Sequence, residues 1–154
     1  VTLEDLFIDG TERKTQRPKS GKLKKKRYSG KKKIHSRKNT VVCDENRKIV
    51  IVTTTKEGRL HDLSQLKKSG LLDCIPEEIG LWVDKGYTGI QKFTRNGNRI
   101  MIPHKKPRDK LLTPEQKQEN SVISGIRMTV EHAIGGIKRF ASIEFFPNPI
   151  RSAK

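Results

Sequence analysis

Asp9, Asp84 and Glu131 are the residues whose placement in this sequence promises chemistry. Asp9 closes the apolar run Leu6-Phe7-Ile8, and Asp84 closes Leu81-Trp82-Val83 ahead of Lys85-Gly86-Tyr87. Both read as carboxylates delivered by the end of a buried strand. An aspartate there also has a plain structural use, because it accepts backbone N–H bonds in turns and at helix starts. Glu131 lies in a helical pattern, about 60° around the axis from Ile134 at the rim of an apolar stripe, with Arg127 and Lys138 on its side. Its plain use is a surface pair with Arg127 one turn earlier. If the two strands are sheet neighbours and the helix packs on that sheet, the three carboxylates converge. Clustered anions raise each other's proton affinity and need a compensating cation. Oxygen-only ligands suit Mg²⁺ or Mn²⁺. Two such ions ~3.5–4 Å apart can activate an attacking oxygen and stabilise a leaving one in an in-line phosphoryl displacement.

The charge distribution points to a substrate for that chemistry. The chain has 154 residues, 34 Lys and Arg against 17 Asp and Glu, and a net charge of +17. Fourteen of the basic residues fall within residues 13–38 with no acid among them, which leaves twenty to face all seventeen acids. Such a block repels itself when free and gains counterion-release free energy on a polyphosphate, so nucleic acid is the expected partner. A membrane surface fits less well, because the block has no periodic apolar face to insert. Lys31, Lys32 and Lys33, a run of three within the block, are candidates for that contact; Lys105 and Lys106 are further candidates that serve equally as a solvated loop.

Short elements must carry these groups. Residues 3–9 read as a strand followed by a Gly10-Thr11 turn, and residues 33–43 pass from the basic block into strand. With Asp44-Glu45-Asn46 as the turn, residues 48–55 complete a hairpin. Residues 61–70 read as a short helix stopped at Gly70, and residues 98–103 as a strand closed by Pro103. Thr113-Pro114-Glu115-Gln116 has the capping-box pattern, and a long helix follows with Val122, Ile123, Ile126, Val130, Ile134 and Ile137 as its stripe, through about Phe140. The order predicts one mixed α/β domain. His61-Asp62 reads as a helix start whose neutral histidine caps or braces, and Tyr87 and Trp82 read as packing residues. Cys43 and Cys74 have neither zinc nor disulfide spacing and are expected to be buried small residues in a reducing cytoplasm. No apolar run approaches a membrane span.

The ordered segments IDGTE, YSGKKKIHSRKN, GRLHD, LWVDKGYTG and RMTVEHAIGGIKRF resemble the catalytic domain of DDE transposases of bacterial insertion sequences, in the insertion-sequence-five-like family. The resemblance runs from about Leu6 to Phe140. It implies a ribonuclease-H-like mixed sheet flanked by helices, with residues 1–154 as a single catalytic domain and the basic segment 13–38 inserted after the first strand. Asp9, Asp84 and Glu131 become the catalytic, metal-binding triad, and Arg127, Lys138 and Arg139 become DNA-binding residues. The family signature Tyr-x2-Arg-x3-Glu-x6-Lys falls on Ser124, Arg127, Glu131 and Lys138, so its tyrosine is missing here. Further implications are two Mg²⁺ or Mn²⁺ ions, transposon-end DNA as partner, and a homodimer or larger assembly on paired ends. A DNA-recognition region is expected upstream, on the same or a second chain. The competing expectations are a catalytically inactive transposase remnant that acts as a basic nucleic-acid-binding module, and a metal-dependent nuclease without strand transfer.

Overall fold

Residues 4–139, apart from residue 96 and the side chains at 129, 134 and 137–139, are described by a computed structural model of the chain. The elements are β1 (Asp5–Lys14), α1 (Gly21–Arg27), β2 (Tyr28–Ser29), β3 (Ile34–Asp44), β4 (Ile49–Val52), β5 (Lys56–Glu57), α2 (Asp62–Lys68), α3 (Leu71–Cys74), β6 (Gly80–Val83), β7 (Ile100–Met101) and α4 (Pro114–Arg139). Two 3₁₀ turns, Lys85–Tyr87 and Ile90–Lys92, separate β6 from β7. The sheet order is β2-β3-β1-β6-β7, with β4 and β5 also paired to β3. β1 runs antiparallel to β3 and parallel to β6, and β7 continues the parallel part. This is the ribonuclease-H-like mixed sheet flanked by helices that the sequence predicts.

Alternation along the strands divides the core between the two faces of the sheet. Leu6, Ile8, Val42, Leu81 and Val83 pack with Leu66 of α2, Leu71 and Leu72 of α3, and Tyr87 and Ile90. Phe7, Val41 and Cys43 pack on the opposite face with Val130 of α4, joined by the half-buried Trp82, Ile126 and Ala133. Phe7 and Trp82 stack at 5.7 Å between ring centroids. The capping box forms reciprocally, with Gln116 N donating to Thr113 Oγ1 at 3.2 Å and Thr113 N to Gln116 Oε1 at 3.1 Å. The Asn120 side chain then clasps the His104 backbone through two hydrogen bonds, which ties α4 to the chain leaving β7.

Several local expectations change. Gly10-Thr11 is not a turn: β1 continues to Lys14 because β3 supplies a pairing partner at every residue from Leu6 to Lys14. The 98–103 strand pairs only at Ile100–Met101, and the 48–55 strand only at Ile49–Val52. The 61–70 helix ends at Lys68; Gly70, at φ 70°, turns the chain directly into α3. The basic segment is folded into the end of β1, α1, β2 and the start of β3. Cys43 is buried, and burial pushes its thiol up to about 11, whereas Cys74 is exposed. Val122 is exposed, so the apolar stripe meets the core from Ile126 onward and not at its first residue. No helix among the described residues is long and apolar enough to cross a membrane.

Val130 is 2% exposed and Val122 56%. Val130→Ala is therefore expected to lower unfolding free energy by about 2 kcal/mol through lost burial and a residual cavity. Val122→Ala should change it by less than about 0.5 kcal/mol. Urea unfolding of both variants measures this, and equal losses would show that α4 docks by its whole stripe.

Candidate active site

The parallel register between β1 and β6 pairs Phe7 with Trp82 and Ile8 with Val83, so Asp9 and Asp84 are the next residues along both chains. Side chains alternate along a strand, which puts Asp9 on the face of Phe7 and Asp84 on the face of Trp82. Both carboxylates thus stand one step beyond the aromatic stack, on the α4 face. Each is held by the backbone that follows it: Gly10 N donates to Asp9 Oδ1 at 2.8 Å, and Lys85 N to Asp84 Oδ1 at 2.6 Å. β6 ends at Val83 and Asp84 caps the 3₁₀ turn, as a strand-end carboxylate should. Asp9 is different, since β1 continues past it beside β3 alone.

Arg127 of α4 enters between them. Its Nη1 lies 3.2 Å from Asp84 Oδ1 and its Nη2 3.8 Å from Asp9 Oδ1, with the side chain 11% exposed. Arg127 precedes Val130 by three residues, so the docking of Val130 fixes the turn from which the guanidinium projects. Burial raises the proton affinity of Asp9 above the ordinary carboxylate value. The Gly10 N–H and the Arg127 charge oppose that shift, and the charges of Asp84 and Asp62 add to it. The site is therefore a partly sheltered anion pair for which the protein supplies a cation.

Glu131 follows Arg127 by one turn, about 40° around the axis and on the same side of α4. It is exposed, and among the described residues it forms no hydrogen bond or ion pair. Arg127 thus serves the two aspartates and not its i+4 neighbour. No three His, Cys, Asp or Glu side chains among the described residues are grouped closely enough to hold an ion. The pair itself fits a divalent ion, because Asp9 and Asp84 offer adjoining oxygen donors and Arg127 already stands as a cation between them.

Lys31, Lys32 and Lys33 are exposed in the turn between β2 and β3, and Lys105 and Lys106 in the loop after β7. Lys138 and Arg139 belong to α4 by backbone, and their side chains lie outside the described residues. A concave basic patch, built from the basic segment 13–38 and Arg59, is lined by Arg17, Lys24, Lys25, Tyr28, His35 and Arg59, with a cavity of about 540 Å³. Tyr28 and His35 meet edge-on there at 5.5 Å. His35 precedes Val41, the partner of Asp9, by six residues of β3, which places this patch about 20 Å along the strand from the acids. A larger cavity, about 820 Å³, lies between the chain after β7 and the start of α4, lined among others by Ile102, Val122, Glu115 and Glu119. Its lining is mixed, since His104 and Lys105 join the two glutamates and the apolar side chains.

Asp62 is the neighbour of the site that sequence reasoning leaves unplaced. It is close enough to raise the proton affinity of Asp9, and it pairs with Lys38 Nζ at 3.2 Å. The available signal was His61-Asp62 itself. His61 precedes α2 without a side-chain capping bond, so the aspartate carries the tertiary contact.

A family model described as DDE superfamily endonuclease matches residues 8–153. A probable transposase for insertion sequence element IS702 from Microchaete diplosiphon is 35% identical over 135 residues, covering 88% of this chain and 46% of that relative. The chain spans about half the length of the curated relative it matches. No solved structure matches it significantly.

Arg127→Gln leaves the aspartates without their cation. A loss of about 2 kcal/mol is expected at neutral pH, the range for a lost charged hydrogen-bonding partner. Because the Asp9 proton affinity is raised on folding, its contribution to stability is fully present below the unfolded value and is lost as pH rises through the folded one. Arg127 opposes that loss, so the variant's deficit should grow from acid to neutral pH. Urea unfolding across this range checks the sign, and a deficit independent of pH would contradict it.

Proposed function

This chain belongs to the DDE superfamily endonucleases, and we propose that it is the catalytic domain of a DNA transposase. In this reading it hydrolyses a phosphodiester at a transposon end, and the freed 3′ hydroxyl then attacks target DNA. The single observation that carries the reading is the parallel register of β1 and β6, which sets Asp9 beside Asp84 with a cation drawn between them.

Bound Mg²⁺ or Mn²⁺, two ions in this proposal, supplies Lewis-acid activation of the attacking and leaving oxygens. Asp9 and Asp84 would hold it, and Glu131, one helical turn beyond Arg127, would complete the oxygen set from α4. Arg127 would then be available to pair with a DNA phosphate. The remaining work is positioning and charge stabilisation, with no covalent enzyme intermediate. The basic patch about 20 Å from the acids suits the backbone of the same duplex roughly six base pairs away, at ~3.4 Å of axis per pair. Lys31 to Lys33 extend that surface. Assembly as a homodimer or larger complex on paired ends, with a DNA-recognition region elsewhere, belongs to the same proposal.

A second reading, a basic nucleic-acid-binding module without catalysis, draws support from Glu131, which has no partner among the described residues. Asp84→Asn separates the two. It is expected to reduce Mn²⁺-dependent cleavage of transposon-end DNA by about 10³-fold or more while leaving DNA affinity within about twofold. Cleavage at the native rate, or none by the native chain with the metal supplied, would favour the binding module. For the basic surface, joint neutralisation of Lys24, Lys25 and Arg59 should weaken binding to all DNA sequences alike. It should also lower the slope of log affinity against log salt by about 0.9 for each phosphate contact removed. An unchanged slope would move the DNA path elsewhere.

A further inference from the structure

Behind the Asp9 and Asp84 pair, on the opposite face of the sheet, lies a second set of charges. Leu6, Ile8 and Gly10 share one side of β1, and a Cβ placed on Gly10 would sit 3.3 Å from Asp62 Oδ1. A Cβ placed on Gly86 would sit 3.2 Å from Asp62 Oδ2. One carboxylate thus abuts, through its two oxygens, the glycine that follows Asp9 and the glycine two residues past Asp84. Lys38 holds it there: Nζ donates to Asp62 Oδ1 and to Leu60 O, both at 3.2 Å, and the lysine is 8% exposed. The Tyr87 hydroxyl lies 3.6 Å from the same Gly10 position and is buried. Burial together with Asp62, Asp9 and Asp84 holds that phenol strongly in its neutral form.

We propose that Asp62 is a positioning residue of the metal site, and that the Lys38–Asp62 ion pair sets both the spacing of Asp9 and Asp84 and their attraction for a divalent cation. The proposal rests on the metal-site reading above. The spacing follows from proximity, since the Asp62 carboxylate occupies the space that a Cβ would need at both Gly10 and Gly86, in the backbone that follows each acid. The attraction follows from charge. Asp62 adds to the negative field at Asp9 and Lys38 offsets part of that charge, so the field at the site depends on both members of the pair together with Asp9, Asp84 and whichever cation lies between them. With Asp62 neutral, a buried ammonium remains behind the site and repels the incoming ion. With both neutral, the repulsion is gone. A pair that merely held the fold would weaken Mn²⁺ binding when either partner is removed, whereas here removal of the Lys38 charge alone is expected to tighten it.

Mn²⁺ binding by the full chain, measured calorimetrically at one pH and ionic strength, tests this. Asp62→Asn should weaken Mn²⁺ binding about tenfold, and Asp62→Asn with Lys38→Met should return it to within about threefold of native. An affinity within twofold of native for Asp62→Asn, or a double variant as weak as the single one, would overturn the proposal. If Asp62→Asn fails to fold, Lys38→Met alone decides: tighter Mn²⁺ binding than native is expected, and equal or weaker binding overturns it. The premise is checked in the same series. A native chain that binds no Mn²⁺, or an Asp84→Asn variant that binds it as well as native, would sink the metal-site reading itself.

Discussion

Two carboxylates held side by side and partly out of water repel each other, and each loses hydration, so the arrangement persists only where positive charge lies close by. The rest of this structure answers to that constraint. Parallel pairing of β1 with β6 creates the problem by bringing Asp9 and Asp84 to the same level on the same face. The Phe7–Trp82 stack beneath them fixes that level, and the following N–H groups of Gly10 and Lys85 satisfy one oxygen of each. Val130 then docks α4 on Phe7, Val41 and Cys43, and thereby delivers Arg127 to the gap. Hydrophobic docking of the helix and neutralisation of the acids are one event, because both depend on the same turns of α4.

The two cations near the site differ in what could replace them. Lys38 is buried in a central strand and also serves the Leu60 carbonyl, so its removal would leave two groups unsatisfied inside the fold. Arg127 reaches in from a helix and touches only the carboxylates among the groups with described ion pairs. A divalent ion can take its place without stranding a buried acceptor. Such an exchange would free the guanidinium while Val130 still holds that turn of α4 on the sheet.

What was legible in the sequence was local. Leu81-Trp82-Val83-Asp84 reads as a strand ending on a charge because the apolar run and the Lys85-Gly86 loop signal sit together, and the capping box at Thr113 and Gln116 is complete within four residues. Gly10-Thr11 misled for the same reason. Locally it is turn-like, yet nine consecutive pairings with β3 outweigh that preference, and Gly10 is a glycine because Asp62 comes close. Asp62 itself could not be placed from sequence, since its partners Lys38, Gly10 and Gly86 lie 24 or more residues away and meet only in the folded sheet. Val122 fits the stripe by spacing, but periodicity does not say how far along the helix the sheet extends.

The basic segment follows the same division between local reading and tertiary use. Its charges were read as one block, but the fold sorts them. Lys38 and Arg27 are turned inward onto Asp62 and Glu57, and Arg13 onto Asn39 and Thr55. Arg17, Lys19, Lys22, Lys25, Lys26 and Lys31 to Lys33 stay exposed. α1, which carries several of them, has no buried residue, and all four residues of its last turn are basic. A seven-residue helix without an apolar face gains little from burial, and its neighbouring cations repel one another. Its C-terminal dipole offsets only part of that repulsion. A segment of this kind contributes almost nothing to folding in isolation. Its free energy falls when a phosphodiester chain takes the place of its condensed counterions, so the charge that costs stability in the free protein is the charge that favours the complex.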